Sequence, residues 1–216
     1  MQAHELAPGL WRWTGWHAEW KHEVGCVYFE TEQEVCLFDP LVPPEDSERF
    51  WAALDRDVQR VAGPVHVLLT VFLHARSTCE LVERYGARLW APSRGRAAVE
   101  RRVGAVTDPF RPGDPLPAGV EALGSGRASE VVYWIPEQRA VVAGDALLGD
   151  ESGELRLCPE SWLPTGTGHV ELRRALRPLL ELDVQAVIVS HGEPVVDGAG
   201  DALRSVLLKS RRPRHP

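Results

Sequence analysis

The run Leu68-Leu69-Thr70-Val71-Phe72-Leu73-His74-Ala75-Arg76-Ser77 puts an imidazole, a guanidinium and two hydroxyls at the end of an apolar stretch. His74 can transfer a proton or bind a metal. Arg76 is a permanent cation that recognises anions and repels metal ions. Ser77 beside His74 has the composition of a nucleophile and its base, but proximity in sequence does not make a dyad. Capping the following helix is the expected role of Ser77. Cys79, at the start of that helix, is read as a buried, inert thiol in preference to a low-pKa one. Two other places carry candidate chemistry, Gly144-Asp145 and Ser190-His191-Gly192-Glu193-Pro194, each directly after an apolar segment.

These segments need a scaffold, and its parts can be read from periodicity. Strands are expected at 24–29 and Val35–Phe38 around the polar turn Thr31-Glu32-Gln33-Glu34, the second stopped by Asp39-Pro40. Ser47–Val61 spaces Phe50, Trp51, Leu54, Val58 and Val61 as one face of a helix. A continuously apolar strand at 65–69 precedes the His74 loop, and helices are expected at 79–84 and 94–102. The Pro- and Gly-rich stretch 108–119 reads as a surface loop. Val131–Ile135 and Ala140–Ala143 form a hairpin leading into Gly144-Asp145. An amphipathic segment at 170–182, a buried strand at 187–189 and a closing helix at 202–208 complete the chain. His66, inside an apolar strand, is structural. For His17 and His22, in a segment rich in tryptophan, packing at a sheet edge is favoured over a place above a pocket. His4, His169 and His215 are expected to be exposed.

The 216 residues are 44% hydrophobic and 25% charged, an ordinary globular composition, with a formal net charge of -7 that disfavours a nucleic-acid surface spread over the chain. Lysines are confined to Lys21 and Lys209, and the basic tail (209–216) is read as a frayed terminus. No segment looks like a leader or a membrane span. Cys26, Cys36, Cys79 and Cys158 show no Cys-x-x-Cys spacing, which suggests reduced thiols and a cytoplasmic protein.

The strand-loop-helix layout around Thr70 resembles the metal-binding loop of the metallo-β-lactamase superfamily, Thr-His-x-His-x-Asp-His. In that register the ligand positions hold Val71, Leu73, Ala75 and Arg76. The hairpin ending in Asp145 resembles the one that carries the bridging aspartate, and Ser190-His191-Gly192 resembles the final ligand turn. Asp39-Pro40 resembles an early corner. In the segment corresponding to Gly-His-Thr-Pro-Gly-Ser, Gly126 takes the histidine position. The resemblance spans about 5–207 and implies a single α/β (α+β) domain, a four-layer αββα sandwich. It leaves Asp145 and His191 as the matching ligands.

What such a site would do is open to three readings. The favoured one is a degenerate, metal-free member whose vestigial pocket takes a small molecule or protein, with Arg76 paired to Asp145 and the carboxyl pKa depressed. The second is a hydrolase of ester, thioester or similar bonds with one zinc, iron or manganese ion at Asp145 and His191, His74 serving as a third ligand. The third is a metal-independent enzyme in which His74, Arg76 and Asp145 handle an anionic substrate. No nucleic-acid or membrane partner is expected, and tryptophans near the N-terminus make a homodimer an option.

Overall fold

A computed structural model describes residues 3–150 and 152–208, so the basic tail and His215 lie outside the described residues. Strands β1 (Ala3–Ala7), β2 (Leu10–His17), β3 (His22–Glu30) and β4 (Val35–Phe38) form an antiparallel meander. Three crossovers follow: α1 (Ser47–Val61) to β5 (Val65–Leu68), α2 (Thr78–Tyr85) to β6 (Arg88–Pro92), and α3 (Arg96–Val103) to β7 (Asp108–Phe110). Each returns the chain parallel to the preceding strand, as a helical crossover allows and a tight turn does not. The seven strands lie in sequence order in one sheet.

The second sheet starts with β8 (Glu121–Gly124), β9 (Val131–Ile135) and β10 (Ala140–Ala143), an antiparallel series. A small hairpin of β11 (Leu147–Gly149) and β12 (Leu155–Leu157) precedes α4 (His169–Leu176). Strand β13 (Ala186–Val189) then pairs parallel to β10, and α5 (Ala199–Leu208) closes the described chain. The sheet order is β13-β10-β9-β8.

The alternation of side chains along the strands sets the layering. Val27, Phe29, Phe38 and Leu68 from the first sheet meet Val131, Tyr133, Ile135 and Ile188 from the second in a core between the sheets. Their neighbours Tyr28, Leu37 and Val67 face outward onto Phe50 and Leu54 of α1, Leu81 of α2 and Val99 of α3. On the opposite side, Val132, Trp134 and Val187 pack against Leu172 and Leu176 of α4 and Leu203 and Val206 of α5. Two sheets with helices on both outer faces make the expected four-layer αββα sandwich.

Several expectations shift in detail. The segment 108–119 is not loop throughout: Asp108–Phe110 adds an edge strand, where Pro109 is tolerated because one side of the strand has no partner. The expected amphipathic segment 170–182 divides into α4 and a 3-10 turn at Arg177–Glu181, broken by Pro178, which lacks an N–H. Among the N-terminal tryptophans Trp13 is core and Trp16 is exposed. No described helix is long and apolar enough to cross a membrane.

Candidate metal centre

Asp39, the His74 turn, Asp145 and His191 follow β4, β5, β10 and β13, so the C-terminal ends of four strands deliver them to one rim of the sandwich. Asp39 turns the chain out of β4 at φ 48. Its carboxylate takes hydrogen bonds from the Thr70 N–H (2.8 Å) and the Thr70 hydroxyl (2.5 Å) and lies 2.8 Å from His74 Nδ1. His74 is fully buried in the turn Phe72–Ala75. Close approach of β10 to this turn requires a glycine, because a Cβ on Gly144 would stand 2.3 Å from Thr70 Oγ1.

With Nδ1 held by Asp39, His74 directs Nε2 at Asp145 Oδ1, 3.1 Å away. His191 directs its own Nε2 at the same oxygen from 3.2 Å, and its Nδ1 lies 3.1 Å from His22 Nε2. His22 Nδ1 is in turn 3.1 Å from the Trp20 carbonyl. The Asp145 loop is fixed from behind by Glu130, whose Oε1 accepts the N–H groups of Asp145 (3.0 Å) and Ala146 (2.7 Å). Arg127 places Nη1 2.6 Å from Glu130 Oε2 and 3.5 Å from Asp145 Oδ2.

The electrostatics follow from this packing. Burial alone would raise the Asp145 pKa, but His191 and His74 outweigh it and hold the carboxyl far below its usual range. Burial and Arg76 push His74 down, while Asp39 and Asp145 push it further up, for a net rise. His191 is lowered, chiefly by burial. Burial also dominates at Glu130, which is pushed up to about 7 against the pull of Arg127.

The expected Arg76–Asp145 pair is not formed. Arg76, at φ 33, donates from Nη1 to the carbonyls of Asp39 (2.7 Å) and Gly25 (3.0 Å) and from Nη2 to Ser190 Oγ (2.6 Å). It ties β3, β4 and β13 together, and Arg127 is the guanidinium beside Asp145. Sequence register located the Arg76 backbone but not the end of a long side chain. Ser77 is likewise no cap: it occupies the N-cap of α2, yet its hydroxyl accepts the Val42 N–H at 3.0 Å. Cys79 is half-buried, and Cys26, Cys36 and Cys158 are buried; all are free thiols. His66 is structural, accepting the Trp90 indole N–H at Nδ1 (3.1 Å). His22 and Trp20 do overhang the site, contrary to the packing role favoured for that segment, while His17 stacks on Trp20. His4 is exposed, but His169 is half-buried and reaches the Cys158 carbonyl.

His74, Asp145 and His191 each offer a ligand atom within 4.8 Å of the other two. His74 Nε2 and Asp145 Oδ1 are buried and lack any hydrogen bond of acceptable geometry despite their short separation. Donors bound to a tetrahedral ion at ordinary bond lengths stand about 3.3 Å apart, and the two imidazole nitrogens stand 3.1 and 3.2 Å from Asp145 Oδ1. Two imidazoles and a carboxylate are a donor set that transition metals accept. The residues therefore fit a single metal ion, with Asp39 and His22 as the outer partners that orient the imidazoles. A cavity of about 480 Å³ opens over the cluster, walled by Trp20, His22, Leu73, Arg127 and Trp162. Sequence reasoning gave Arg127, Glu130 and Trp162 no role.

No family model and no curated protein sequence matches the chain. Solved structures do. A metallo-β-lactamase from Pontibacter korlensis superposes with a TM-score of 0.70 at 17% identity, over 97% of this chain and 99% of that one. The DIM-1 metallo-β-lactamase gives 0.69 at 14% identity, over 96% of each chain. Metallo-β-lactamase IND-7 gives 0.68 at 15%, over 96% of this chain and 98% of its own. Superposition over nearly the whole length of each of these structures leads to one statement: this chain has the metallo-β-lactamase fold.

Proposed function

We propose that His74, Asp145 and His191 hold one divalent zinc, iron or manganese ion and that the chain hydrolyses an ester, thioester or similar bond in the cavity above it. The observation that carries this reading is the convergence of two imidazole Nε2 atoms on Asp145 Oδ1 at 3.1 and 3.2 Å, with each opposite Nδ1 already engaged. His74 Nε2 and Asp145 Oδ1 are buried without a hydrogen bond of good geometry, as are Arg127 Nη1 and Glu130 Oε2 beside them, and a cation held between the imidazoles and the carboxylate would satisfy the first pair.

A bound metal would supply Lewis-acid polarisation and acidify a water molecule. The chain's own residues prepare the surroundings. Asp39 fixes the His74 ring and His22 the His191 ring, so both imidazoles keep their lone pairs on the cavity side. Glu130 holds the backbone that carries Asp145. Trp20, Leu73 and Trp162 give the cavity an apolar wall that sheds water, and Arg127 offers positive charge to an oxygen of the substrate.

The metal-free reading has one observation in its favour. The raised pKa of His74 suits an imidazolium between Asp39 and Asp145, which with Arg127 balances the buried carboxylates. The pocket would then bind a small molecule or protein without hydrolysis. The third reading loses its assembly, since Arg76 is bonded to Gly25, Asp39 and Ser190 instead of joining Asp145. Hydrolysis of a panel of nitrophenyl esters and thioesters distinguishes the first two. The metal reading expects turnover that chelation abolishes, divalent metal restores and His191→Ala removes. Silence of metal-loaded protein across the panel supports the binding pocket.

A further inference from the structure

A second cavity, of about 720 Å³, shares Arg127 with the pocket above the metal cluster. Arg94, Arg111 and Arg127 all line it, together with Ser93, Gly126 and Glu130. Glu130 is the acidic residue of that lining, and its carboxylate is committed: Oε1 to the N–H groups of Asp145 and Ala146, Oε2 to Arg127. Arg111 has a carboxylate nearby in Asp114, but Asp114 accepts the Arg111 backbone N–H.

The guanidiniums of Arg94 and Arg111 are exposed, and neither has an ion pair or hydrogen bond among the described residues. Arg60, Arg84, Arg88 and Arg96 each find a carboxylate, while Arg49, Arg56, Arg101, Arg174 and Arg177 also go without one among the described residues. What distinguishes Arg94 and Arg111 is that both line one cavity together with Arg127. The first turn of α3, directly after Arg94, contains no acidic residue and adds the positive end of its dipole. Concave walls carrying one sign of charge concentrate the field, and the guanidinium fork matches the oxygens of carboxylate and phosphate.

We propose that this cavity is a subsite for an oxyanion, a phosphate or carboxylate group carried by the substrate, gripped by Arg94 and Arg111. Arg127 marks its boundary with the metal pocket. The substrate class is then an ester or thioester bearing an anionic group, a refinement that rests on the hydrolase reading. Charge attraction draws the anionic end to Arg94 and Arg111 and leaves the scissile bond for the aromatic-walled pocket.

The test is calorimetric titration of inorganic phosphate, and separately of succinate, into the His191→Ala protein after chelation, where phosphate has no metal to bind. The proposal expects saturable binding of at least one anion, weakened at least tenfold by Arg94→Gln/Arg111→Gln, with unchanged circular dichroism. The tighter anion identifies the group. Absence of binding for both, or equal binding in the double variant, overturns the subsite. Because the measurement needs neither metal nor turnover, its result is independent of whether the chain is a hydrolase.

Discussion

A carboxylate that accepts hydrogen bonds from Thr70 and also orients the His74 ring cannot become an amide without turning one of those partners away. Asp39→Asn is therefore expected to weaken metal binding about 10–100-fold, as loss of an outer carboxylate partner commonly does, measured by chelator competition. Unchanged affinity would remove Asp39 from the site. Arg76 acts through packing, and Arg76→Lys, which lacks the planar fork for the Asp39 and Gly25 carbonyls and Ser190, should lower unfolding free energy by about 2–3 kcal/mol. His66 gives a pH signature. Burial lowers its pKa below 6.5, so the unfolded chain takes up the proton first, and stability falls as pH drops through 6.5 toward the folded-state value. Urea midpoints at pH 7.5 and 5 should therefore differ more for the parent than for His66→Asn, which keeps an acceptor for Trp90. Sequence exposed Asp145 and His191 as candidates because motif register fixes backbone positions, and His74 because it lies in the same loop between two positions of that register. It misassigned Arg76 and overlooked Arg127, since the end of an arginine lies several bonds from the backbone that register constrains.

The elements most legible in the sequence were those whose pattern repeats long enough to exclude alternatives. Helix α1 shows its apolar stripe through Phe50, Leu54 and Val58, and β9 and β10 are short apolar runs bounded by turn residues. Strands β1, β7, β8 and β12 were not legible: they are short, all four lie at sheet edges or in the small hairpin, and their residues carry little alternation to read; β2, β6 and β11 were not assigned from the sequence either. Packing against neighbours, not propensity, makes them strands. The same contest is visible at the end of α1, where Ala62 adopts φ 54 to donate its N–H to Val58. Glycine reaches that conformation without a Cβ penalty. Ala62→Gly is expected to raise stability by about 0.5–1 kcal/mol in urea denaturation; a loss of stability would show that the left-handed cap is not strained.

At the scale of the molecule, two sheets bring the ends of four strands together so that residues from 39 to 191 share one cluster. The layered fold was readable from the order of its landmarks, because each one marks the end of a strand. Whether the cluster holds metal was not readable, because substitution at Val71, Leu73, Ala75, Arg76 and Gly126 removes ligands from the register while His74 enters from a position outside it. The Asp39–His74–Asp145–His191–His22 chain, buried from Asp39 to Asp145 and opening to solvent at His22, is organised as an ion's ligands and their supports would be. The most direct measurement is elemental analysis of purified protein dialysed against trace zinc, iron and manganese, in parallel with His191→Ala and His74→Ala. One metal ion per chain in the parent, lost in both variants, is the expected result. A parent protein that stays metal-free at micromolar free metal, or variants that retain the ion, would contradict the assignment.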